Sequence, residues 1–401
     1  DRYNIIYKNY VRECEGKSMI IQSKKVWIAD QFIEAQIEIQ NGKIVNIYDY
    51  GEKEVTKDYG SLRILPGFID IHCHGAYGFD TNDADEEGLR YWLNNIPKEG
   101  VTALLPTTIT QSFEVLTNAV SNVANVVENG YTGAEVLGIH FEGPYLDHVY
   151  KGAQPDEYIT KPTVEQFKHY QNVAHGLIRY ITIATETDED FALTRYCVEN
   201  GVTVSIGHSA ATYEQAVKAY AYGARSMTHV YNGMTPFKHR ENGLVGAAYR
   251  IHNMYGEIIC DGNHSTLAAL NNYFACKGSY HAIMISDALM AKGSKIGSKF
   301  IFGGNEIEIY PDGSAHLTST GGLAGSTLNI NKGLKILIED AGVPISAAIN
   351  SCTINPARCI HVDDRKGTIG VGYDGDLVVL DNEYNVVQTY CKGVEMLYGE
   401  K

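Results

Sequence analysis

The feature that most constrains the fold is a rhythm that begins near residue 64 and repeats eight times: a short β-branched apolar run, a polar turn and a stretch of helical spacing. This rhythm is typical of parallel βα units. The eight runs are Ile64 to His72, Thr102 to Pro106, Val136 to Phe141, Tyr180 to Ala184, Val202 to Ile206, Ser226 to Val230, Glu257 to Cys260 and Ala282 to Ile285. Eight strand and helix pairs favour an α/β fold of the closed (β/α)8 type, a TIM-like barrel, over an open sheet.

Helical spacing between the runs supports this interpretation. The clearest helical stretches are Phe113 to Val127, Val164 to Ala174, Phe191 to Asn200, Tyr213 to Tyr222 and Thr266 to Cys276. After the eighth run, Phe300 to Ile309 and Ala315 to Thr318 flank a Pro-Asp-Gly turn, which predicts an inserted hairpin. Two further helices are expected at about 327 to 340 and 344 to 352.

The two ends of the chain differ from the middle, because they alternate in strand fashion and lack long helices. We predict that residues 19–63 and 357–401 together form one small β-sandwich domain beside a barrel over 64–356. Residues 1–18 are polar, rich in tyrosine and unpatterned, and we interpret them as a tag or other non-native extension.

The composition excludes some classes of binding partner and indicates a cellular location. The hydrophobic fraction of 44% with 20% charged residues is typical of a compact soluble protein. A net charge of −15 disfavours binding to nucleic acid or to an anionic membrane, since the field would repel both. The first 30 residues lack the apolar core of a signal peptide, and the eight cysteines are widely spaced with no Cys-x-x-Cys pair. We therefore expect a cytoplasmic protein with reduced thiols.

Titratable residues recur where the predicted strands end. In a barrel of this class the carboxyl ends of the strands meet on one face, where active sites form. The residues at these ends are His72 and His74, Glu142, His208, His229, Asp261 with His264 nearby, and Asp287. A single buried histidine is often only structural, and an isolated His-x-His pair has the same ordinary explanation. Histidines and carboxylates at so many separate strand ends instead predict a metal site.

The donor types suggest the chemistry of that site. Alternate residues of a strand share a face, so His72 and His74 can hold one ion together. The set has nitrogen and oxygen donors but no thiolate, which suits Zn²⁺ and also allows Fe²⁺, Mn²⁺ or Co²⁺. Glu142 could bridge two ions, so one or two ions per subunit remain open. Asp287 suits the role of general acid and base for an attacking water.

Several longer segments carry a family resemblance. They are Pro66-Gly67-Phe68-Ile69-Asp70, His140-Phe141-Glu142-Gly143-Pro144, Gly207-His208-Ser209, His229-Val230-Tyr231-Asn232-Gly233-Met234, Asp261-Gly262-Asn263-His264, Ser286-Asp287-Ala288 and Leu323-Ala324-Gly325-Ser326. Through them the chain resembles the N-acetylglucosamine-6-phosphate deacetylases of the amidohydrolase superfamily, from Met19 to its end. The first segment marks only the superfamily, whereas the His-Phe-Glu-Gly-Pro and His-Val-Tyr-Asn-Gly-Met segments are more specific.

The resemblance implies an activity and roles for the strand-end residues. The expected reaction is hydrolysis of the acetamido group of N-acetyl-D-glucosamine 6-phosphate to D-glucosamine 6-phosphate and acetate, in amino-sugar catabolism. Glu142, His208 and His229 correspond to the core metal ligands, and Asp287 corresponds to the acid and base. His72 and His74 fit those members that hold a second ion.

The resemblance also implies substrate contacts. His264 and Arg240 correspond to groups that grip the phosphate, and Arg240 is expected to serve the neighbouring subunit of a homodimer or higher homo-oligomer. The residues expected beside the sugar are Ala153, Gln154, Asn232, Gly233, Leu323, Ala324 and Gly325. Many members carry histidine where this chain has Gln154, which puts the sugar preference in doubt.

Two alternatives stay open at this point. One is deacetylation of N-acetylgalactosamine 6-phosphate or of another N-acyl substrate, because the sequence does not distinguish epimers. The other is a catalytically inactive barrel that serves as a scaffold. An inactive relative would lack metal ligands, and all of the expected ligands are present here.

Overall fold

The computed structural model describes residues 18–396, and its centre is a closed barrel of eight parallel strands. The barrel strands are β1 (Phe68–Cys73), β2 (Val101–Thr108), β3 (Ile139–Glu142), β4 (Ile178–Ile183), β5 (Thr203–Ile206), β6 (Ser226–Met227), β7 (Tyr255–Ile259) and β8 (Ala282–Ile285). Each strand pairs in parallel with the next along the chain. A parallel bridge between Cys73 and Ala288 joins the last strand to the first and closes the barrel. The predicted barrel is confirmed.

Helices surround the barrel close to the predicted positions. The α-helices are Glu86–Asn95, Phe113–Asn129, Val164–Val173, Ala192–Glu199, Tyr213–Ala221, Gly243–Arg250, Leu267–Lys277, Ile330–Lys335, Ile345–Ser351 and Ile354–Cys359, and a π-helical turn over Ile336–Asp340 extends the eighth. Four of them begin after a Ser or Thr whose hydroxyl accepts a backbone N–H of the first turn: Ser112, Thr163, Thr212 and Thr266. These caps satisfy donors that the helix itself leaves unpaired, and they fix the helix starts.

The first predicted run, from Ile64 to His72, is two strands. Arg63–Pro66 pairs with Ser18–Ile28 and Leu377–Leu380 in the terminal sheet, and β1 begins only at Phe68. The break falls at Gly67, where an added Cβ would lie 2.1 Å from Thr102 Oγ1, so only glycine fits between the two sheets. The domain boundary that we placed at residue 64 therefore falls inside a strand of the terminal sheet.

The third predicted run is also interrupted. Glu135–Val136 pairs with β2 by itself, and the chain enters β3 after Gly138, whose φ is 151°. A Cβ at Gly138 would lie 2.4 Å from Arg179 Cγ, which again explains the glycine. The interruption leaves the short strand β3 with Glu142 as its last residue.

The strands from both chain ends form one eight-stranded sheet. In sheet order these are Val394–Glu395, Val386–Cys391, Leu377–Leu380, Arg63–Pro66, Ser18–Ile28, Gln31–Gln40 and Lys43–Asp49, with Lys57–Asp58 beside Ser18–Ile28. The sheet encloses its own apolar cluster, and a bridge between Lys43 and Asp374 joins its edge strand to the segment just before Leu377–Leu380. The predicted sandwich is thus one continuous hydrogen-bonded sheet. Of the extension predicted over residues 1–18, all but Ser18 lies outside the described residues.

A buried ion-pair cluster connects the terminal sheet to the base of the barrel. Lys366 contacts Glu135 at 2.6 Å and Asp374 at 2.8 Å, and it also pairs with Asp376. Arg365 makes two parallel hydrogen bonds of 3.0 Å to Glu135, a geometry that a planar guanidinium favours. These groups satisfy one another where the two domains meet.

The predicted hairpin after β8 is a three-stranded antiparallel sheet. Its strands are Lys299–Phe302, Asn305–Ile309 and Ala315–Leu317. The single run expected from Phe300 to Ile309 is divided by Gly303 and Gly304, which both have positive φ and so form a tight turn. This sheet packs Phe302 and Ile307 against Leu289 beside the carboxyl ends of the barrel strands.

Across residues 18–396, none of the helices combines the length and the apolar character needed to cross a bilayer.

Candidate active site

The carboxyl ends of the barrel strands bring six predicted residues to one place. His72 lies in β1 with His74 just after it, and Glu142 ends β3. His208, His229 and Asp287 each lie two residues beyond their strands, β5, β6 and β8. All six side chains are buried. They form two adjacent groups, Glu142 with His208 and His229, and His72 with His74 and Asp287, in which one donor atom from each residue lies within 4.8 Å of the others.

Hydrogen bonds to backbone carbonyls fix the orientation of both imidazole rings in the first group. His208 Nδ1 donates to the Tyr150 carbonyl at 2.8 Å, and His229 Nδ1 donates to the Asn232 carbonyl at 3.0 Å. With Nδ1 protonated on both rings, both Nε2 atoms present lone pairs, and these atoms face each other at 3.1 Å. Glu142 Oε1 lies 3.2 Å from His208 Nε2 and 3.3 Å from His229 Nε2. Such converging donors suit a bound cation.

The second group uses the other oxygen of the same carboxylate. Glu142 Oε2 lies 3.4 Å from His72 Nε2 and 3.1 Å from His74 Nε2. Asp287 Oδ1 lies 3.2 Å and 3.1 Å from the same two nitrogens. Glu142 therefore joins the two groups, one oxygen to each, as a carboxylate that bridges two ions would.

The backbone at three of these residues is strained. His208, His229 and Asp287 have φ values of 45°, 29° and 49°, in the left-handed region that residues with a Cβ seldom adopt. Strain of this kind costs about 1–3 kcal/mol per residue and is concentrated at functional sites. In each case it turns the chain sharply after the strand, and the side chain lies among the candidate ligands.

The residues fit a divalent metal. Burial opposes protonation of His74, yet its hydrogen bonds to Asp287 and Glu142 raise its pKa to about 9. The pKa of His229 is also raised, because Glu142 outweighs the effect of burial. The two buried carboxylates thus stabilise positive charge on or between the four imidazoles. A cation bound by the same nitrogens would supply that charge, since metal ions bind the deprotonated rings.

Asp287 is held ionised in this setting. Burial alone would raise its pKa, but the charge of His72 and the hydrogen bonds from His72 and His74 hold the pKa well below its usual range. Its backbone is anchored on both sides: its N–H donates to the His72 carbonyl at 2.9 Å, and its carbonyl accepts from Ser326 N–H at 2.7 Å. The carboxylate is therefore placed precisely and is available as a base.

A cavity of about 170 Å³ opens above these groups. Most predicted site residues line it: His74, Glu142, Ala153, Gln154, His208, His229, Asn232, Gly233, His264, Asp287, Leu323 and Gly325. His72 is buried and does not line the cavity, and Ala324 is buried in the apolar cluster of the inserted sheet. Arg240 is exposed and lines a different cavity with Tyr150 and Thr212, so one chain does not bring it to this site.

Gln154 takes a place that the sequence did not suggest. Its Nε2 donates to Glu142 Oε2 at 3.1 Å, and its Oε1 accepts from Thr110 N–H at 2.8 Å. It therefore braces the bridging carboxylate as well as lining the cavity. The nearby Ala153 carbonyl accepts a hydrogen bond of 3.2 Å from Asn305 of the inserted sheet, which anchors this loop.

His264 faces the cavity with its ring fixed by Asp261. His264 Nδ1 lies 2.7 Å from Asp261 Oδ2, and the Asp261 carboxylate also accepts two backbone N–H bonds of its own loop. Burial opposes ionisation of Asp261, but its hydrogen bond to His264 lowers its pKa. Since Nδ1 is engaged, Nε2 is the ring nitrogen left for a ligand.

Several residues near the site were not among the predicted site residues. Phe302 lines the cavity and contacts the His74 ring edge-on at a centroid distance of 5.3 Å, and Ile259 also lines it. Glu257 lies within β7, where it contacts His72. Glu257 does not follow the strand-end pattern, because it lies within a strand, and only its charge in an otherwise apolar run distinguishes it.

Comparison with known proteins gives consistent matches. Residues 63–396 match the amidohydrolase family. The chain is 37% identical to an N-acetylglucosamine-6-phosphate deacetylase of Bacillus subtilis (strain 168), over 94% of this chain and 97% of that protein. It is 32% identical to an N-acetylgalactosamine-6-phosphate deacetylase of Escherichia coli O157:H7, over 92% and 95%.

A solved structure gives a similar result. The fold matches a mutant N-acetyl-D-glucosamine-6-phosphate deacetylase of Mycobacterium smegmatis in complex with N-acetyl-D-glucosamine-6-phosphate, with a TM-score of 0.90 and 27% identity. That match covers 96% of this chain and 100% of the other.

Proposed function

This chain belongs to the amidohydrolase family, and on that basis we propose that it is a metal-dependent N-acetylglucosamine-6-phosphate deacetylase. It hydrolyses the acetamido group of N-acetyl-D-glucosamine 6-phosphate to D-glucosamine 6-phosphate and acetate, in amino-sugar catabolism. The observation that carries the proposal is the bridging geometry of Glu142 between two groups of ligands, with Asp287 at their edge. Relatives named as deacetylases of this substrate are up to 37% identical over most of the chain.

We infer two divalent ions, Zn²⁺ first and Fe²⁺, Mn²⁺ or Co²⁺ as alternatives. Nitrogen and oxygen donors without thiolate suit all four. One ion is assigned to Glu142, His208 and His229, and the other to His72, His74 and Asp287 with the second oxygen of Glu142. Bound ions supply Lewis acidity to the acetamido carbonyl and make a water acidic enough to attack it at neutral pH.

Asp287 is assigned the proton transfers. Its Oδ1 faces His72 and His74, which leaves Oδ2 to accept a proton from the attacking water. The same oxygen then gives that proton to the amine nitrogen as the C–N bond breaks, so acetate and the amino sugar leave. The anchored backbone keeps the carboxylate in position for both steps.

The phosphate and the sugar are assigned to the rim of the cavity. His264, oriented by Asp261, is the phosphate contact within one chain. Arg240 lies on an exposed loop, which agrees with a role across a subunit interface, and we therefore propose a homodimer or higher homo-oligomer. Asn232 and Gly233 contact the sugar from one side. On the other sides the sugar meets Ala153, Gln154 and the segment from Leu323 through Ala324 to Gly325.

A cytoplasmic location completes the proposal. All seven cysteines within the described residues are free thiols, and all but Cys276 are buried. Free thiols on this scale are typical of proteins in reducing compartments.

Acetate release from a panel of substrates tests the proposal. The protein is stripped with a chelator, reloaded with a single metal and assayed on N-acetylglucosamine 6-phosphate, its galactosamine epimer, unphosphorylated N-acetylglucosamine and an N-acetyl amino acid. We expect the highest kcat/KM for the first substrate and no turnover by the stripped protein. Higher kcat/KM for the galactosamine epimer would reassign the substrate, a possibility that the 32% identical relatives of that name make worth testing. No release from any reloaded form would support the scaffold alternative.

A further inference from the structure

We propose that Glu257 is a positioning residue, which holds His72 in the ring orientation that the second ion needs and links the two metal groups from below. This inference rests on the proposed metal-dependent function but concerns a residue outside the ligand set. Glu257 lies in β7 with its side chain wholly buried in the barrel interior.

The contact with His72 fixes the tautomer of that ring. His72 Nδ1 lies 2.9 Å from Glu257 Oε2 and donates to it. The proton is thereby kept on Nδ1, so that Nε2, which lies 3.4 Å from Glu142 Oε2 and 3.2 Å from Asp287 Oδ1, would offer its lone pair to the second ion. A carboxylate behind a ligating histidine both orients the ring and makes it a stronger donor.

The same oxygen also reaches the other metal group. Glu257 Oε2 accepts the backbone N–H of His229 at 3.1 Å. His229 has a φ of 29°, so this bond helps to hold a strained turn in place. One buried oxygen therefore contacts a side chain of the second group and the backbone of the first.

The rings of the other imidazoles are not oriented by Glu257. His208 and His229 use backbone carbonyls, which no side-chain substitution removes. Among residues 18–396, His74 Nδ1 has no hydrogen-bond partner. The neighbouring His140 bonds Thr182 at 2.7 Å instead. Loss of Glu257 should therefore release the ring of His72 alone and weaken the second ion most, while His229 loses one backbone hydrogen bond.

The charge of Glu257 supports the same role. A carboxylate in a barrel interior is strongly unfavourable unless a partner or a cation offsets it. Glu257 Oε1 has no hydrogen-bond partner within the described part of the chain. The titratable groups close to its carboxylate are the imidazoles of His72 and His140. The metal ions proposed above Glu257 would offset the charge of its carboxylate.

Metal stoichiometry tests the proposal independently of turnover. Wild type, Glu257→Gln and Glu257→Leu are dialysed against buffered free Zn²⁺ or Co²⁺, and bound metal per chain is measured by mass spectrometry. We expect two equivalents for wild type. In Glu257→Gln, whose amide oxygen still accepts the His72 proton, the second equivalent should bind about 10-fold more weakly, and in Glu257→Leu about 100-fold more weakly. The first equivalent should be retained in both.

Glu99→Gln is the matched control, because Glu99 is a buried glutamate whose carboxylate pairs with Lys292 instead of a histidine. It should lower the melting temperature and leave both equivalents in place. A second equivalent that binds Glu257→Leu with wild-type affinity would overturn the proposal, as would a single equivalent in wild type. Neither result would contradict deacetylation itself, which the acetate assay decides.

A measurement on the unmodified protein keeps the proposal testable if the variants do not fold. Nitrogen-15 NMR of histidine-labelled wild type, assigned with His72→Asn, should show the His72 proton on Nδ1 in the loaded form. A proton on Nε2 would contradict the assigned role.

Discussion

Replacing Asp287 by asparagine tests the assignment of the proton transfers. The change preserves the size of the side chain, and the backbone bonds to His72 and Ser326 should hold the substituted residue in the same place. What is lost is the charge that faces His72 and His74 and the oxygen that carries the proton. The ion assigned to Glu142, His208 and His229 should remain bound.

The expected loss of kcat is large because one carboxylate serves two proton transfers. General acid and base catalysis contributes roughly 10²–10⁴-fold. Because Asp287 serves both the attack of water and the departure of the amine, we place the loss in the upper half of that range. A fall in kcat of about 10³–10⁴ corresponds to about 4–5 kcal/mol at the transition state. The value of kcat/KM should fall equally, since the lost interaction belongs to the transition state.

The assay is steady-state acetate release with bound metal measured on the same samples. Asp188→Asn is the matched control: Asp188 is also buried, but its carboxylate bonds Leu193 and Thr194 at the start of a helix. It should lower stability and leave kcat within about twofold, since no group near the ligands changes. If Asp287→Asn retained its metal and kept kcat within about tenfold of wild type, the assignment would be refuted.

Three further changes test other parts of the structure. His264→Ala should raise KM for the phosphorylated substrate at least about tenfold and lower kcat less, because a charge-assisted contact of about 1.5–3 kcal/mol is lost. The kinetics on unphosphorylated N-acetylglucosamine should not change. Equal effects on both substrates would contradict a phosphate role. Burial opposes ionisation of Asp374, but Lys366 outweighs it and lowers its pKa to about 2, so Asp374→Asn should lose about 2 kcal/mol of stability near pH 7. The extra free energy of unfolding of wild type is present above the unfolded pKa of 3.8 and is lost as pH falls toward about 2. In urea unfolding from pH 7 to pH 3, the difference in stability between wild type and variant should narrow only at the acid end. A difference that widens there would refute the predicted pH dependence. Gly67→Ala should destabilise the protein by at least about 1–3 kcal/mol, since its Cβ would lie 2.1 Å from Thr102 Oγ1, and an unchanged melting temperature would contradict the close approach.

The barrel and most of the site could be predicted because both follow from local patterns. The period of apolar runs identifies parallel strands, and the rule that their carboxyl ends meet on one face turns a one-dimensional list of histidines and acids into a cluster. Neither step needs knowledge of side-chain packing. Eight strands, closed into a barrel, were therefore predictable even where individual boundaries shifted.

What the sequence did not reveal depends on distances between remote residues. The break at Gly67 is required by Thr102, and Gln154 braces Glu142 because a loop folds back over the barrel. Glu257 was passed over because it lies inside a strand, where its partner 185 positions away is invisible to any local pattern. The left-handed backbone at His229 is similarly set by tertiary contacts and not by propensity.

The bridge between Cys73 and Ala288 gives the barrel a seam, and the second metal group is built across it. His74 N–H donates to the Ala288 carbonyl at 2.8 Å, and Asp287 N–H donates to the His72 carbonyl at 2.9 Å, so the two sides of the seam meet beside the ligands themselves. During synthesis the ribosome makes one side long before the other, so this group cannot exist until the last barrel strand has emerged and docked. A metal ion bound there would hold together the junction that forms last, and it should slow the opening of the barrel more than an ion bound on one side alone.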